Sequence, residues 1–285
     1  MTEDLMALLD ALSLEKIAPG HYVGRYIPAI PNHIFGGQIV AQAIHAAQQE
    51  VDADKSLHSL HSYFLNRGQT DLPFHFHVDR VRDGKSFCTR QVSVTQEDHI
   101  LYSATFSFHR IETGLTFQKD MPRVDAPENF MEEAERWNSH PVIQDNPQRK
   151  ITFCPNDVRH TGPIDWFDPT PSSPETGIWI KTKGRIGDDP RLHQTLLGYF
   201  SDSFLYAASL RPHGLTFNTP NVQGTSLDHS VWFHDDFRAD EWLFYQHSGI
   251  WSGRARGLNF GKFYTRDGRH VASTSQEGLV RLKQA

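Results

Sequence analysis

An α+β fold of two similar units, each a helix followed by an antiparallel meander, is what the sequence predicts, and three observations predict it. Two separate stretches, one from Gly36 to Val51 and one from Asp189 to Leu210, carry apolar residues at helical spacing. Each is followed by four segments in which apolar and polar residues alternate, the period of a half-buried strand. His61-Ser62 and His229-Ser230 lie 168 residues apart, and Ala104 and Ala272 keep that offset, as an internal duplication would. The predicted organisation is an N-terminal unit over 1–110, a surface connector over 111–176 and a C-terminal unit over 177–285.

Taken in order, Leu5, Leu8, Leu9 and Leu12 mark a first helix, and His21 to Pro28 reads as a short strand ended by its proline. Gly36-Gly37 then opens a helix whose Ile39, Val40, Ala43, Ile44 and Ala47 are small and apolar, as a buried helix requires. Alternation follows over 57–65, 73–84, 86–96 and 99–109, with turn residues such as Asp83-Gly84 between the strands. The connector is proline-rich, holds an acidic helix candidate at Glu128–Trp137 and has Trp166 and Phe167 as anchors. The second unit repeats the plan: a strand over 177–186, one long helix over 189–210, and strands over 226–234, 241–251, 256–265 and 270–282.

A chain of 285 residues with 38% hydrophobic side chains can bury a large core without covalent staples. Its net charge of -6 excludes the broad basic field that drives sequence-independent nucleic-acid binding. No apolar run is long enough for a membrane span, and the first residues are acidic where a signal peptide is basic, so a cytoplasmic protein is expected. Cys88 and Cys154 make neither a disulfide framework nor a zinc site. Seventeen histidines invite a metal, yet His75 and His77 are spaced along a strand among aromatics and no H-E-x-x-H occurs, so neither metal nor cofactor is expected. Gly84-Lys85-Ser86 imitates the end of a phosphate loop, but Asp79 stands where that loop needs glycine. Asp228 and His229 are neighbours on a strand and point to opposite faces, so they form no dyad.

Several segments in the same order as a known family carry a resemblance that spans nearly the whole chain. They are His33-Ile-Phe-Gly-Gly-Gln38, Leu57-His-Ser-Leu-His-Ser-Tyr-Phe64, Arg82-Asp-Gly-Lys-Ser-Phe87, Tyr199-Phe-Ser-Asp202, Leu227-Asp-His-Ser-Val-Trp-Phe-His234 and Val271-Ala-Ser-Thr-Ser-Gln-Glu-Gly278. The chain resembles the acyl-coenzyme A thioesterase II family of double hotdog proteins. That resemblance implies two tandem hotdog domains, each a curved antiparallel sheet around a long central helix, and hydrolysis of acyl-coenzyme A thioesters to fatty acid and coenzyme A. It also implies a reaction centre between the halves formed by Asp202, Ser226 and Gln276. Thr225 stands beside Ser226 as the alternative hydroxyl.

The chemistry fits those residue types. No G-x-S-x-G elbow occurs, so water is the simplest nucleophile, with Asp202 to take its proton and Ser226 and Gln276 to orient it. Gly37 N–H, helped by Gln38, is the expected oxyanion donor at a helix N-terminus, and His33 is a candidate to line the pocket. The ordinary readings are a capped surface carboxylate, a strand-edge hydroxyl, a solvent-facing glutamine and glycines needed only for close packing. Arg254 and Arg256 either contact coenzyme A phosphates or hold a turn. Rival functions are a non-catalytic acyl-coenzyme A binder and a hotdog acyl-thioester hydratase, for which no acid–base motif heads either helix. A homodimer or homotetramer is expected from the sheet edges.

Overall fold

The structure is a computed structural model and describes residues 1–29 and 33–283. The first helix, α1 (Glu3–Leu12), is capped by the Thr2 hydroxyl and buries Leu5, Leu8 and Leu12. Strands β1 (Glu15–Ala18) and β2 (His21–Gly24) lead to α2 (Gly36–Gln49), which is buried almost all round. The meander β3 (Ser56–Phe64), β4 (Phe74–Asp83), β5 (Phe87–Gln96) and β6 (His99–His109) completes the first half. The connector holds α3 (Glu133–Ser139), α4 (Pro141–Gln144) and β7 (Asn156–His160). The second half runs β8 (Glu175–Thr182), α5 (Pro190–Ser201), β9 (Val222–Ser226), β10 (Asp228–Phe233), β11 (Leu243–Gly253), β12 (Arg256–Thr265) and β13 (His270–Leu282). Among the described residues no helix is long and apolar enough to cross a membrane.

One antiparallel sheet joins the halves in the order β1-β2-β4-β5-β6-β3-β10-β13-β12-β11-β8-β7, with β9 alongside the far end of β13. From β2 to β8 the order is a palindrome: in each half the strand before the helix is outermost and the first meander strand lies at the centre. The seam is β3 against β10, where Ser62 faces His229 and His61 faces Ser230. Each histidine there is tied to the other half's serine. His61 Nδ1 lies 3.0 Å from Ser230 Oγ, and Ser62 Oγ donates to the His229 carbonyl at 2.7 Å.

The duplication is therefore legible in strand order and not in the 168-residue spacing. His61 is exposed and His229 fully buried, so the two sit on opposite faces and do not correspond. Ser62 pairs with Ala104, whereas Ser230 pairs with Ser275 rather than Ala272. Two further expectations change. The connector is more than a surface wrap, because β7 extends the sheet beside β8. The helix expected over 189–210 stops at Ser201: Phe204 takes a left-handed conformation (φ 61°), and Leu205–Ser209 is a tight 3₁₀ turn. Its residues Leu205, Tyr206, Ala207 and Ala208 stay buried, which is why helix-like apolar spacing continued past the real end.

Inside the sheet α2 and α5 cross antiparallel and close. A Cβ on Gly198 would lie 2.3 Å from Ile44 Cδ1, and one on Gly37 would lie 2.4 Å from the Tyr199 carbonyl oxygen. Phe74, Phe76, Phe106 and Phe108 of the first half and Tyr245 and Phe263 of the second pack around the pair. At the end where α2 finishes and α5 begins, a polar cluster is closed upon itself. Gln48 Nε2 donates to Gln194 Oε1, Thr195 Oγ1 donates to Gln48 Oε1, and Gln194 Nε2 donates to Ser56 Oγ and the Leu57 carbonyl. Arg191 covers the C-terminus of α2, donating to the carbonyls of Gln48, Val51 and Asp52.

Helix propensity alone would make Gly37→Ala stabilising by about 1 kcal/mol. The immovable Tyr199 carbonyl reverses the sign, so the substitution should destabilise by roughly 1–3 kcal/mol. Gly114→Ala, where nothing lies within 4 Å of the added methyl, should leave the thermal midpoint unchanged. Equal midpoints for the two variants would contradict the close helix crossing.

Candidate active site

Asp202 is the C-cap of α5, the negative end of that helix, where a carboxylate gains nothing from its own dipole. The antiparallel crossing gives it a better partner. Gly37 N–H, in the first turn of α2, donates to Asp202 Oδ2 at 2.9 Å. Gly36 leaves room for the approach, since a Cβ there would meet the same oxygen at 2.7 Å. One half thus supplies the acid and the other the helix N-terminus that faces it.

The remaining contacts come from two paired strands. Ser226 ends β9 and stands opposite Gly278 of β13, two residues from Gln276, whose side chain points inward and is fully buried. Gln276 Nε2 donates to Asp202 Oδ1 at 2.5 Å and to Ser226 Oγ at 3.0 Å, and Ser226 Oγ donates to Asp202 Oδ1 at 3.5 Å. The carboxylate only accepts, so this network sets the amide nitrogen toward it. Gln276 Oε1 is left buried without a partner among the described residues, an acceptor aimed at nothing in the protein. Thr225 is exposed and turned away, so Ser226 is the hydroxyl at the centre.

Burial pushes the Asp202 carboxyl up to about 6, against the hydrogen bonds from Gln276, Gly37 and Ser226, which favour its charged form. Its wall is aromatic. Burial raises the hydroxyls of Tyr102, Tyr199 and Tyr245, and the Asp202 charge adds to each. Behind it Ser201 Oγ donates to the Gly198 carbonyl at 2.8 Å and so accepts from His229 Nε2 at 2.7 Å. Burial lowers that imidazole to about 3, leaving it neutral. Asp228 looks elsewhere, accepting the Glu277 N–H at 2.8 Å, so Asp228 and His229 form no pair.

Asp202, Ser226, Gln276 and Gly37 converge, and the other candidates do not. Gln38 cannot help an oxyanion: its N–H is bonded to the Phe35 carbonyl, and its side chain is locked to the Arg25 carbonyl and the Ile27 N–H. His33 is exposed, its carbonyl accepting from the Tyr26 hydroxyl. Arg256 is engaged across the sheet, its guanidinium pairing with Glu277 of the neighbouring β13 at 2.9 Å. Sequence reasoning missed Asn259, fully buried on β12, which accepts from the Ser209 N–H and donates to the Gln276 carbonyl. A polar residue at an inward strand position was its only signal.

A family profile described as acyl-CoA thioesterase matches residues 165–279, and one described as acyl-CoA thioesterase N-terminal domain matches residues 25–109. The chain is 33% identical to acyl-CoA thioesterase 2 of Haemophilus influenzae over 100% of both sequences. It is 32% identical to acyl-coenzyme A thioesterase 8 of Mus musculus, over 99% of this chain and 92% of that protein. A crystal structure of an acyl-CoA thioesterase II from Mycobacterium marinum superposes with a TM-score of 0.79 at 32% identity, covering 97% of this chain and 99% of the other. A hotdog-fold protein of Alicyclobacillus acidocaldarius, at 18% identity and a TM-score of 0.78, shares the fold.

The raised carboxyl carries a consequence for stability. Its folded-state pKa of about 6 lies above the ordinary 3.8, so the folded chain binds the extra proton and stability falls as pH rises between those values. Asp202→Asn should therefore unfold at higher denaturant than the parent at pH 7, by on the order of 2 kcal/mol, with little difference at pH 4. A variant less stable at pH 7 would refute the strained carboxylate.

Proposed function

We infer that this chain, which belongs to the acyl-CoA thioesterase family, hydrolyses acyl-CoA thioesters with a water held among Asp202, Ser226 and Gln276. One observation carries the mechanism: a buried, unpartnered Gln276 Oε1 beside the Asp202 carboxylate and the Ser226 hydroxyl. A water in that corner can donate one hydrogen to Gln276 Oε1 and the other to Asp202, which points its lone pair outward. Asp202 takes the proton as the water oxygen attacks the carbonyl carbon. The tetrahedral intermediate collapses by breaking the C–S bond, and the proton passes to the departing thiolate of coenzyme A. Fatty acid and thiol leave.

Gly37 has two duties in sequence. In the resting site its N–H holds Asp202 Oδ2. As Asp202 becomes neutral and charge gathers on the thioester oxygen, the same N–H is the donor at the positive end of α2 that meets it. Assembly and location belong to the same reading. A homodimer or homotetramer in the cytoplasm is part of it, and association is supported by Tyr63, Phe87, Trp251 and Phe260, which the sheet leaves exposed.

Thiol release from a panel of acyl-CoA esters tests the scheme. Asp202→Asn should lower kcat on the order of a hundred- to ten-thousand-fold, Gln276→Ala and Ser226→Ala less, and Thr225→Ala hardly at all. An unchanged rate in Asp202→Asn would overturn the assignment, and no release from any ester would favour a binder. For the parent, kcat/KM should rise with pH through about 6 and then level, because the base must be ionised to accept a proton. A profile flat from pH 5 to 8 would exclude Asp202 as that base. Sedimentation showing only monomer would remove the oligomer.

A further inference from the structure

The connector reaches the site through stacked rings. Phe204, two residues after Asp202, is held left-handed, a conformation costly for a large side chain. Its ring lies edge-on to His160 of β7, centroids 4.7 Å apart, and stacks on Trp166 at 5.6 Å. Trp166 is 5% exposed and stacks in turn on Phe217, which stacks on Tyr206 at 5.4 Å. The Tyr206 hydroxyl donates to the Leu279 carbonyl at 2.5 Å, in the stretch of β13 that pairs with β9. Gly224 and Gly278 make that possible, for a Cβ on either would strike the Tyr206 side chain at 2.3 Å.

The column starts and ends on the segment just after Asp202, at Phe204 and Tyr206, and from there the Tyr206 hydroxyl reaches the strand pair that carries Ser226 and Gln276. Its central member is fixed twice more. The Trp166 indole N–H donates to Glu133 Oε1 on α3, and the Trp166 carbonyl accepts from Thr216 Oγ1 at 2.8 Å. Glu133 and His160 are 5% and 4% exposed, so this anchor is interior. The Asp202 carboxylate takes its hydrogen bonds from Gly37, Ser226 and Gln276, and from none of the column's residues.

We propose that Trp166 is a positioning residue for hydrolysis: its indole, anchored on Glu133, sets the spacing between the Asp202 turn and the β9–β13 pair that holds Ser226 and Gln276. The proposal rests on the water mechanism above. A misplacement of about an ångström between a base and the groups that hold its water lowers turnover by roughly a hundredfold without changing how substrate binds. Trp166 would act on kcat and leave KM alone.

The test measures kcat, KM and the pH profile of the full chain for Trp166→Ala, Trp166→Phe and Phe204→Leu. Trp179→Phe serves as control, because Trp179 is another buried indole whose N–H is bonded, to the Asp125 carbonyl, away from the site. Trp166→Ala should lose roughly ten- to a hundredfold in kcat with KM within about threefold. The midpoint of its rising limb should move below about 6 as water reaches the loosened carboxylate. Trp166→Phe should recover most of the rate, since it keeps the stacked ring, and Trp179→Phe should change stability alone. A kcat within twofold of the parent in a folded Trp166→Ala or Phe204→Leu, or the same profile shift in Trp179→Phe, would overturn the proposal. If Trp166→Ala does not fold, Phe204→Leu carries the decision: a kcat within twofold of the parent there sinks the proposal. Asp202→Asn separates the two failures, because full activity there rejects the water mechanism, whereas an inactive Asp202→Asn beside a fully active Phe204→Leu rejects only the positioning role.

Discussion

The hydrogen bond from Gly37 N–H to Asp202 Oδ2 is the contact on which the rest depends. It exists only because α2 and α5 run antiparallel and nearly touch, and they nearly touch only because Gly36, Gly37 and Gly198 bring no side chains to the crossing. The continuous sheet holds that crossing in place, with the β3–β10 seam joining the halves directly behind it. A carboxylate on one half thereby meets a helix N-terminus on the other, and neither half contains the cluster alone.

Electrostatics follow from the same geometry. Enclosing Asp202 among Tyr102, Tyr199 and Tyr245 raises its proton affinity, while three donors keep the charged form within reach near neutral pH. A carboxylate so placed weakens the fold and, in the proposed hydrolysis, makes a stronger base, the usual opposition between stability and activity. The neighbouring His229 is neutral and bonded to Ser201, so it stiffens the C-terminus of α5 and takes no proton.

Much of this was legible in the sequence, for identifiable reasons. Periodicity revealed α1, α2 and both meanders, because half-buried strands and amphipathic helices each impose a fixed spacing. Asp202, Ser226 and Gln276 came from resemblance; nothing in their local pattern separated them from a capped carboxylate or a strand-edge hydroxyl. The stop after Ser201 was hidden, since a buried 3₁₀ turn has the same apolar content as a helix. The short strands β7 and β9, Asn-Asp-Val-Arg-His and Val-Gln-Gly-Thr-Ser, show no alternation, and only their partners β8 and β13 make them strands. The duplicated His-Ser dipeptide misled because period-2 geometry puts a repeat in the wrong phase on the other face. The stack from Phe204 to Tyr206 passes through Trp166 and Phe217, and no sequence rule encodes ring contacts over such separations.

The palindromic sheet gives the helix pair two ends of equivalent topology. At one, Asp202 faces Gly37 with Gln276 Oε1 left open. At the other, Gln48, Gln194 and Thr195 satisfy one another under Arg191. Two identical chains could not differ in this way, because any acid placed at one helix end would appear at both. Fusing the halves into one polypeptide breaks that equality: one end can carry a strained, open arrangement while its twin serves as a fastener, so the molecule's asymmetry of purpose is a property of its covalent continuity.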